Sequence, residues 1–245
     1  MCALPLEKEI EYPTSDGQPM AETTLHRKVM SNLIGGLERR YADVVDVWVG
    51  GNLFLYYREG EQDKVAPDVL LVRGVEKRDR DTYLLWEEET PALIFEITSR
   101  STRGEDTGTK KNLYEQLGVA ELVLFDPYGE YLKPRLQGYR LDRGLYQPIS
   151  PNHDGSLNLR TTGVTARPEG KRLRLVDTVT GEKLLWQEEV DARAAEETKA
   201  RQAAEKRAAK EAKARQAAEE RAAAAEEQAK ALAEEVVRLR RELKR

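Results

Sequence analysis

The sequence predicts a mixed α/β domain followed by one long helix, on three observations. A strand, helix, strand succession runs through residues 92–98, 105–117 and 122–125, and such a succession implies a parallel crossover packed on a sheet. An apolar period close to helical precedes it at residues 19–41. The apolar pattern then stops near Trp186, where the composition changes abruptly. Of the 58 residues from Glu188 to Arg245, 19 are alanine and 29 are charged, with no glycine, proline or aromatic among them. Such a segment has no core of its own and favours helix throughout. The expected organisation is a globular domain over residues 1–187 and an Ala/Glu/Lys/Arg-rich helical tail over residues 188–245.

In the first helix Met20, Thr23, Thr24, Val29, Met30, Leu33, Ile34 and Leu37 recur at roughly helical spacing, after a Ser15-Asp16-Gly17 turn. Residues 44–49 and 53–57 read as strands on either side of Gly50-Gly51-Asn52, a hairpin that uses the tolerance of glycine and asparagine for φ > 0. Residues 69–72 form a third strand, entered directly from Pro67-Asp68, and residues 92–98 a fourth. Side chains alternate along a strand, so Leu93, Phe95 and Ile97 face one way and Ile94, Glu96 and Thr98 the other. A glutamate among such neighbours is at least partly buried, and a buried carboxylate needs a cation or hydrogen-bond donors.

The helix at 105–117 has Leu113, Leu117 and the apolar part of Tyr114 to bury, and Gly118 to stop it. Asp106, Lys110 and Tyr114 are spaced i, i+4, i+8 and so form one stripe. Beyond Asp126-Pro127 short strands form a meander around Gly129-Glu130-Tyr131, Gln137-Gly138-Tyr139 and Arg143-Gly144-Leu145-Tyr146. A last hairpin joins residues 173–177 to 184–186 across Thr180-Gly181.

Charge excludes one class of function. Residues 1–187 hold 25 Lys and Arg against 30 Asp and Glu, and the tail 15 against 14, so neither part is a polycation that coats DNA without regard to sequence. Local clusters remain: Lys77, Arg78 and Arg80, and Arg100, Arg103, Lys110 and Lys111, could meet phosphates, the alternative for each being an ordinary solvated charge. The lone cysteine, Cys2, excludes an intrachain disulfide and a cysteine-based metal site, in keeping with a reducing cytoplasm. No apolar run approaches the roughly 18 residues of a membrane span, and the N-terminus lacks the basic stretch and apolar core of a secretory signal.

The chemistry concentrates at Asp68, Glu96 and Lys110. Two carboxylates can hold a divalent cation, which polarises a phosphoryl oxygen and lowers the pKa of water, while an ammonium group steadies the developing negative charge. The set points to metal-dependent hydrolysis of a phosphodiester, and its hard oxygen ligands favour Mg²⁺ (or Mn²⁺) over zinc. The plain alternatives are a structural salt bridge from Glu96 to an arginine, an ordinary helix ion pair between Asp106 and Lys110, and a core position for Tyr114. Glu22 and His26 are i, i+4 neighbours on the first helix, so both side chains can reach one point.

At these residues the sequence resembles a known family. Pro67-Asp68-Val69, then Phe95-Glu96-Ile97-Thr98-Ser99 with Ser101-Thr102, then Asp106, Lys110, Tyr114, Gly118-Val119 and Phe125-Asp126-Pro127 resemble the signature of the Uma-two family. That family is described as restriction endonucleases of the PD-(D/E)XK nuclease superfamily, and the resemblance spans about residues 15–186. It implies a restriction-endonuclease-like mixed central sheet flanked by helices, with Asp68 as the metal-binding aspartate, Glu96 as the second acid and the Ile97 backbone carbonyl as a further ligand. It also implies an acid from the first helix near the metal or its water shell, for which Glu22 is the candidate and His26 the weaker one. The superfamily places a lysine two residues after the second acid. Thr98 stands there in this chain, and Lys110 on the following helix takes the lysine's place, with Asp106 and Tyr114 in support.

The expected activity is therefore Mg²⁺-dependent endonucleolytic cleavage of nucleic acid, with DNA as the expected polymer. Two other readings stand beside it: a catalytically weak binding module with a nuclease fold, and a coiled-coil interaction protein whose globular part is an anchor. In the tail, Ala218, Ala222, Ala225, Ala229, Leu232, Val236, Leu239 and Leu243 follow spacings of four and three, a heptad stripe, and the residues from Lys199 recur nearly intact from Lys213 with a 14-residue period. A homodimer closed near Leu232–Leu243 is expected, the alternative being a solitary charged helix.

Overall fold

The computed structural model describes residues 12–15, 23–100 and 102–242, with side chains of the last helix described through residue 238. Glu22 and the start expected for the first helix, the Asp16-Gly17 turn, Cys2, Ser101, Leu243 and the Leu239 side chain lie outside the described residues. The chain divides into two compact units, Met1–Gln187 and Glu188–Arg245.

The first unit opens with α1 (Thr24–Arg40), capped where the Thr23 hydroxyl accepts the His26 N–H at 3.1 Å, which satisfies one of the free donors of the first turn. The strands are β1 (Val47–Gly50), β2 (Phe54–Tyr56), β3 (Lys64–Val65), β4 (Val69–Arg73), β5 (Thr82–Leu84), β6 (Leu93–Ile97), β7 (Glu121–Phe125), β8 (Leu136–Asp142), β9 (Leu145–Pro148), β10 (Leu157–Leu159), β11 (Val164–Glu169) and β12 (Arg172–Asp177). A π turn (Glu105–Thr109) runs into α2 (Lys110–Gln116), and α3 (Gln187–Glu242) forms the tail.

Six strands make the central sheet, in the order β1-β4-β6-β7-β8-β9. Only β6 and β7 are parallel in it, in register from Leu93↔Glu121 to Ile97↔Phe125, as the crossover through α2 requires. One face of this sheet packs on α1 and on a second sheet, β10-β11-β12, through Val29, Leu33, Leu37, Leu93, Phe95, Val164 and Leu175. The other packs on α2 and on a third sheet, β3-β2-β5, through Leu55, Leu70, Tyr83, Ile94, Tyr114 and Leu124. β6 thus sends alternate residues into two different cores, which is why Glu96 lies on the α2 side.

Three expected elements take a different form. Residues 47–50 and 54–56 are not a hairpin: β1 pairs with β4, while β2 joins the third sheet between β3 and the parallel β5. Gly50-Gly51-Asn52 is the crossing between the two sheets, with Asn52 at φ 55° and its N–H donating to the Pro67 carbonyl at 2.9 Å. Residues tolerant of positive φ serve a crossing as well as a turn, so local sequence does not separate them. The last hairpin is reduced to a single bridge, Val176↔Lys183, on the free edge of β12, whose other edge pairs with β11. Gly129-Glu130-Tyr131 belongs to a loop, although β8 and β9 do form a hairpin around Arg143 (φ 53°) and Gly144 (φ 84°).

The β11–β12 end is held by a compact charge cluster. Glu169 accepts from Arg167 at 2.8 Å and Arg174 at 3.2 Å and lies 3.3 Å from the Lys183 ammonium; the Arg174 guanidinium lies 3.3 Å from the Trp186 ring centre. Burial opposes ionisation of Glu169, but the three cations outweigh it and pull the carboxyl down from 4.5 to about 2. A group whose folded pKa is depressed contributes stability above its unfolded pKa and loses it as pH falls toward the folded one. Glu169→Gln is therefore expected to cost on the order of 1 kcal/mol at neutral pH after solvent screening, with the difference closing between about pH 4.5 and pH 2. Urea unfolding of both proteins at pH 7 and pH 3 checks this; a gap that does not shrink at pH 3 sinks it.

In the second unit α3 is exposed from Asp191 to Arg238, and its ion pairs, such as Arg201–Glu205 and Arg215–Glu219 at 2.9 Å, lie at i, i+4. Each is worth only about 0.2–0.5 kcal/mol, so they support the helix without folding it around anything. Among the described residues no helix is long and apolar enough to cross a membrane.

Candidate active site

Asp68 sits at the entry to β4, and the register Val69↔Phe95 places it one step on, alongside Glu96 of the neighbouring strand. Its Oδ2 accepts the Ile97 N–H at 2.6 Å and its Oδ1 lies 3.0 Å from His26 Nε2, so strand and first helix both fix the carboxylate. Glu96 is 1% exposed. Its Oε2 lies 2.9 Å from the Lys110 ammonium and its Oε1 accepts the Tyr114 hydroxyl at 2.6 Å. Lys110 also reaches the Ala66 carbonyl at 3.4 Å and Asp106 Oδ1 at 3.5 Å, while Thr102 donates to Asp106 Oδ2 at 2.7 Å.

The helix that carries these groups is not α-helical at its start. The π turn over Glu105–Thr109 winds more loosely than the α2 turns that follow, and such turns concentrate at functional sites. It turns Asp106 inward to 1% exposure beside Lys110 and Glu96, where spacing alone also allowed an ordinary helix ion pair. Tyr114 is fully buried as well, so the stripe is an inner face.

Three carboxylates, Asp68, Glu96 and Asp106, therefore surround one ammonium group. Burial is the main reason the Glu96 carboxyl is pushed up to about 8; Lys110 opposes the rise and the charges of Asp68 and Asp106 add to it. Burial raises Asp106 too. For Lys110 burial acts downward, yet Glu96 and Asp106 outweigh it and the amine is held cationic. The Tyr114 hydroxyl is raised by burial and by Glu96, and stays a donor.

The cluster is short of positive charge and offers hard oxygen atoms. Among the described residues no three His, Cys, Asp or Glu side chains gather for one ion, so the side-chain ligands would be the two carboxylates Asp68 and Glu96. That suits Mg²⁺ or Mn²⁺, since Mg²⁺ is ordinarily held by one or two carboxylates with water and substrate oxygens completing its octahedron. The oxygens are of the hard kind such a cation takes, and each is engaged by His26, the Ile97 N–H, Lys110 or Tyr114.

Of the residues singled out from the sequence, Asp68, Glu96, Lys110, Tyr114, Asp106 and His26 come together here. Glu22 lies outside the described residues, and Thr98 stands on the edge of the cluster, buried beside Asp106, whose carboxyl its hydroxyl helps to hold down. Sequence reasoning placed Thr102 in the family signature without a role, and missed the Ala66 carbonyl and above all Gly51, against which the Asp68 carbonyl packs: a Cβ there would lie 2.0 Å from the Asp68 oxygen. The double glycine was the available signal, and it was spent on a hairpin. One of the basic clusters is also reassigned in part. Lys77 bonds the Tyr41 and Ala42 carbonyls, and Arg80, its side chain 2% exposed, is paired with Glu88, so neither is free for phosphate.

Tyr114→Phe removes one buried hydrogen bond and leaves Glu96 Oε1 without that donor. It is expected to cost about 1.5–3 kcal/mol of stability and to leave Glu96 less firmly oriented. Thermal unfolding measures the first, and an unchanged melting temperature would contradict the assigned bond.

At the C-terminal ends of β6 and β7 the cluster borders a cleft of about 240 Å³, lined by His26, Ile97, Thr98, Arg100, Tyr128 and Tyr131 among others. Ligands of open α/β sheets bind outside the carboxyl ends of parallel strands, and this is the one place where the central sheet has such ends side by side.

The sequence model of the family Uma2, described as "Putative restriction endonuclease", matches residues 1–166. No curated protein matches the chain. Among solved structures, a "putative nuclease belonging to DUF820" from Anabaena variabilis ATCC 29413 is 14% identical with a TM-score of 0.42, covering 57% of this chain and 73% of that one.

Proposed function

This chain belongs to the Uma2 family, and on that premise we propose that it is a metal-dependent endonuclease that hydrolyses phosphodiester bonds of nucleic acid, DNA first among them. The observation that carries the proposal is the Lys110 ammonium 2.9 Å from Glu96 Oε2, with Asp68 across the strand pair. Held by Asp68, Glu96 and the Ile97 carbonyl, Mg²⁺ or Mn²⁺ would supply a polarised phosphoryl oxygen and water of lowered pKa. The other roles fall to this chain's own groups. Lys110 presents its charge to the oxygens on which negative charge develops, and Asp106 keeps it cationic. Tyr114 and Lys110 hold Glu96, while His26 and the Ile97 N–H hold Asp68, so both acids are oriented before substrate arrives.

The test is cleavage of labelled DNA and RNA, as duplex and as single strand, across a titration of Mg²⁺ and Mn²⁺, with cation binding followed by calorimetry. Cleavage that needs the cation and stops with a chelator is expected. Cation binding without cleavage of any substrate would favour the binding-module reading instead.

The tail is proposed to pair with a second copy. Leu232 and Val236 are 62% and 47% exposed on α3, and they continue the alanine stripe of Ala218, Ala222, Ala225 and Ala229. Sedimentation should give a dimer for the whole chain and a monomer for residues 1–187; a monomeric whole chain contradicts the pairing. A reducing cytoplasm is the compartment we propose.

A further inference from the structure

The cleft beside the cluster holds chemistry that the hydrolysis itself does not use. Its outer wall is the loop after β7, and that loop is fixed from beneath by Asp126, which is fully buried. Asp126 Oδ1 accepts the Tyr128 N–H at 2.9 Å, and Oδ2 accepts those of Tyr131 at 2.6 Å and Leu132 at 3.1 Å. Burial opposes ionisation of this carboxyl, but the backbone donors prevail and hold it below its ordinary value. Arg135 ties the same turn down through the Asp126 carbonyl at 3.1 Å and the Pro127 carbonyl at 2.6 Å. The result is a rigid mount for an aromatic ring. Tyr128 is 44% exposed on it, an uncommon use of so large an apolar surface, and the Lys171 ammonium stands 4.7 Å from its ring centre.

Opposite, the segment after β6 supplies Arg100, which is exposed beside the cleft. A preorganised aromatic face and flanking cations match a nucleotide: the base has a π-face for the ring, and the phosphate has charge for the cations. The wider charge balance decides between strand forms. Duplex binding draws on many phosphate contacts, and a domain with 25 basic against 30 acidic residues supplies few. A base inside a duplex also hides its faces in the stack, whereas an unpaired base offers them.

We propose that this cleft seats one unpaired nucleotide next to the scissile phosphate, its base on Tyr128 and its phosphate toward Arg100, so that the enzyme acts on single strands or frayed ends rather than on intact duplex. The inference rests on the nuclease reading and adds the form of substrate to it. Stacking of a base on an aromatic side chain corresponds to about a 5- to 150-fold change in affinity.

The experiment uses the full chain with Mn²⁺ and fluorescein-labelled oligonucleotides of one sequence, as single-stranded DNA, single-stranded RNA and blunt DNA duplex. The wild type is expected to cut a single strand faster than the duplex. Tyr128→Ala should raise KM for the single strand about 5- to 150-fold with kcat little changed, while Tyr128→Phe, which keeps the ring, behaves as wild type. Faster cutting of the duplex by the wild type, or an unaltered KM in Tyr128→Ala, overturns the inference while cleavage itself stands. Absence of cation-dependent cleavage of all three substrates overturns the nuclease reading and the inference with it.

Discussion

Glu96→Gln is expected to abolish cation-dependent cleavage, by at least about 10²–10³-fold in kcat, while leaving the fold nearly as stable as before. The two halves of this expectation have different causes. Activity falls because the amide cannot serve as an anionic ligand and offers the Lys110 ammonium, 2.9 Å from Oε2 in the wild type, only a neutral oxygen. Stability survives because the site is overloaded with negative charge: three carboxylates share one ammonium, and burial already drives the Glu96 proton affinity up to about 8. Removing one of those charges relieves repulsion from Asp68 and Asp106, and Asp106 Oδ1 remains 3.5 Å from Lys110. Lys110→Met reverses the balance. It removes the single ammonium of the cluster and strands the carboxylates, and breaking a buried pair in that way costs about 3–5 kcal/mol. Denaturant unfolding and single-turnover cleavage on the two variants separate the effects. The site assignment fails if Glu96→Gln cuts at the wild-type rate, and the charge argument fails if Glu96→Gln is the less stable of the two.

Gly51→Ala should damage both fold and activity although residue 51 carries no chemistry. The added Cβ would meet the Asp68 carbonyl oxygen at 2.0 Å, its carbon at 2.9 Å and Ile34 Cδ1 at 3.1 Å. Two of those three atoms are backbone, so no side chain can swing aside to make room. The crossing cannot retreat freely either, since the Asn52 N–H is bonded to the Pro67 carbonyl at 2.9 Å. Either the crossing or the start of β4 must shift, and a shift of β4 carries Asp68 with it. Overpacking of this kind costs about 1–3 kcal/mol, and a misplacement near 1 Å can cost about 100-fold in rate. Gly108→Ala is the matched control, because nothing lies within 4 Å of a Cβ there. Melting temperature and kcat should both fall for Gly51→Ala and hold for Gly108→Ala. If Gly51→Ala melts and cuts as the wild type does, the packing of the crossing on Asp68 has no functional weight.

Glu96 shows what could be read in advance. Its burial followed from strand alternation, and its need for a partner followed from the cost of a buried charge. Lys110 was legible by a different route, as the ammonium that the departure at Thr98 requires. Asp106 shows the opposite. Its i, i+4 spacing from Lys110 is that of a common surface pair, and only the π turn, with Thr102 bonded to Oδ2, turns it inward. Tyr128 was legible only as part of a meander, because nothing local says that the residues after Asp126 fold over its carboxylate. Gly51 was seen and misplaced, since backbone freedom identifies a special position without naming the segment that presses on it.

What the chain determined by itself is local and periodic: the alternation that buries Glu96, the crossover that makes β6 and β7 parallel, and the composition break that begins α3. What tertiary structure alone decided is which distant segments meet: β1 on β4 instead of β2, Gly51 on Asp68, and the loop of Tyr128 beside the end of β6. Side-chain periodicity is set by bonds between neighbours and is therefore written in any short window. Strand partners and close backbone approaches are chosen by the burial of two whole sheet faces at once, a quantity that no short window contains.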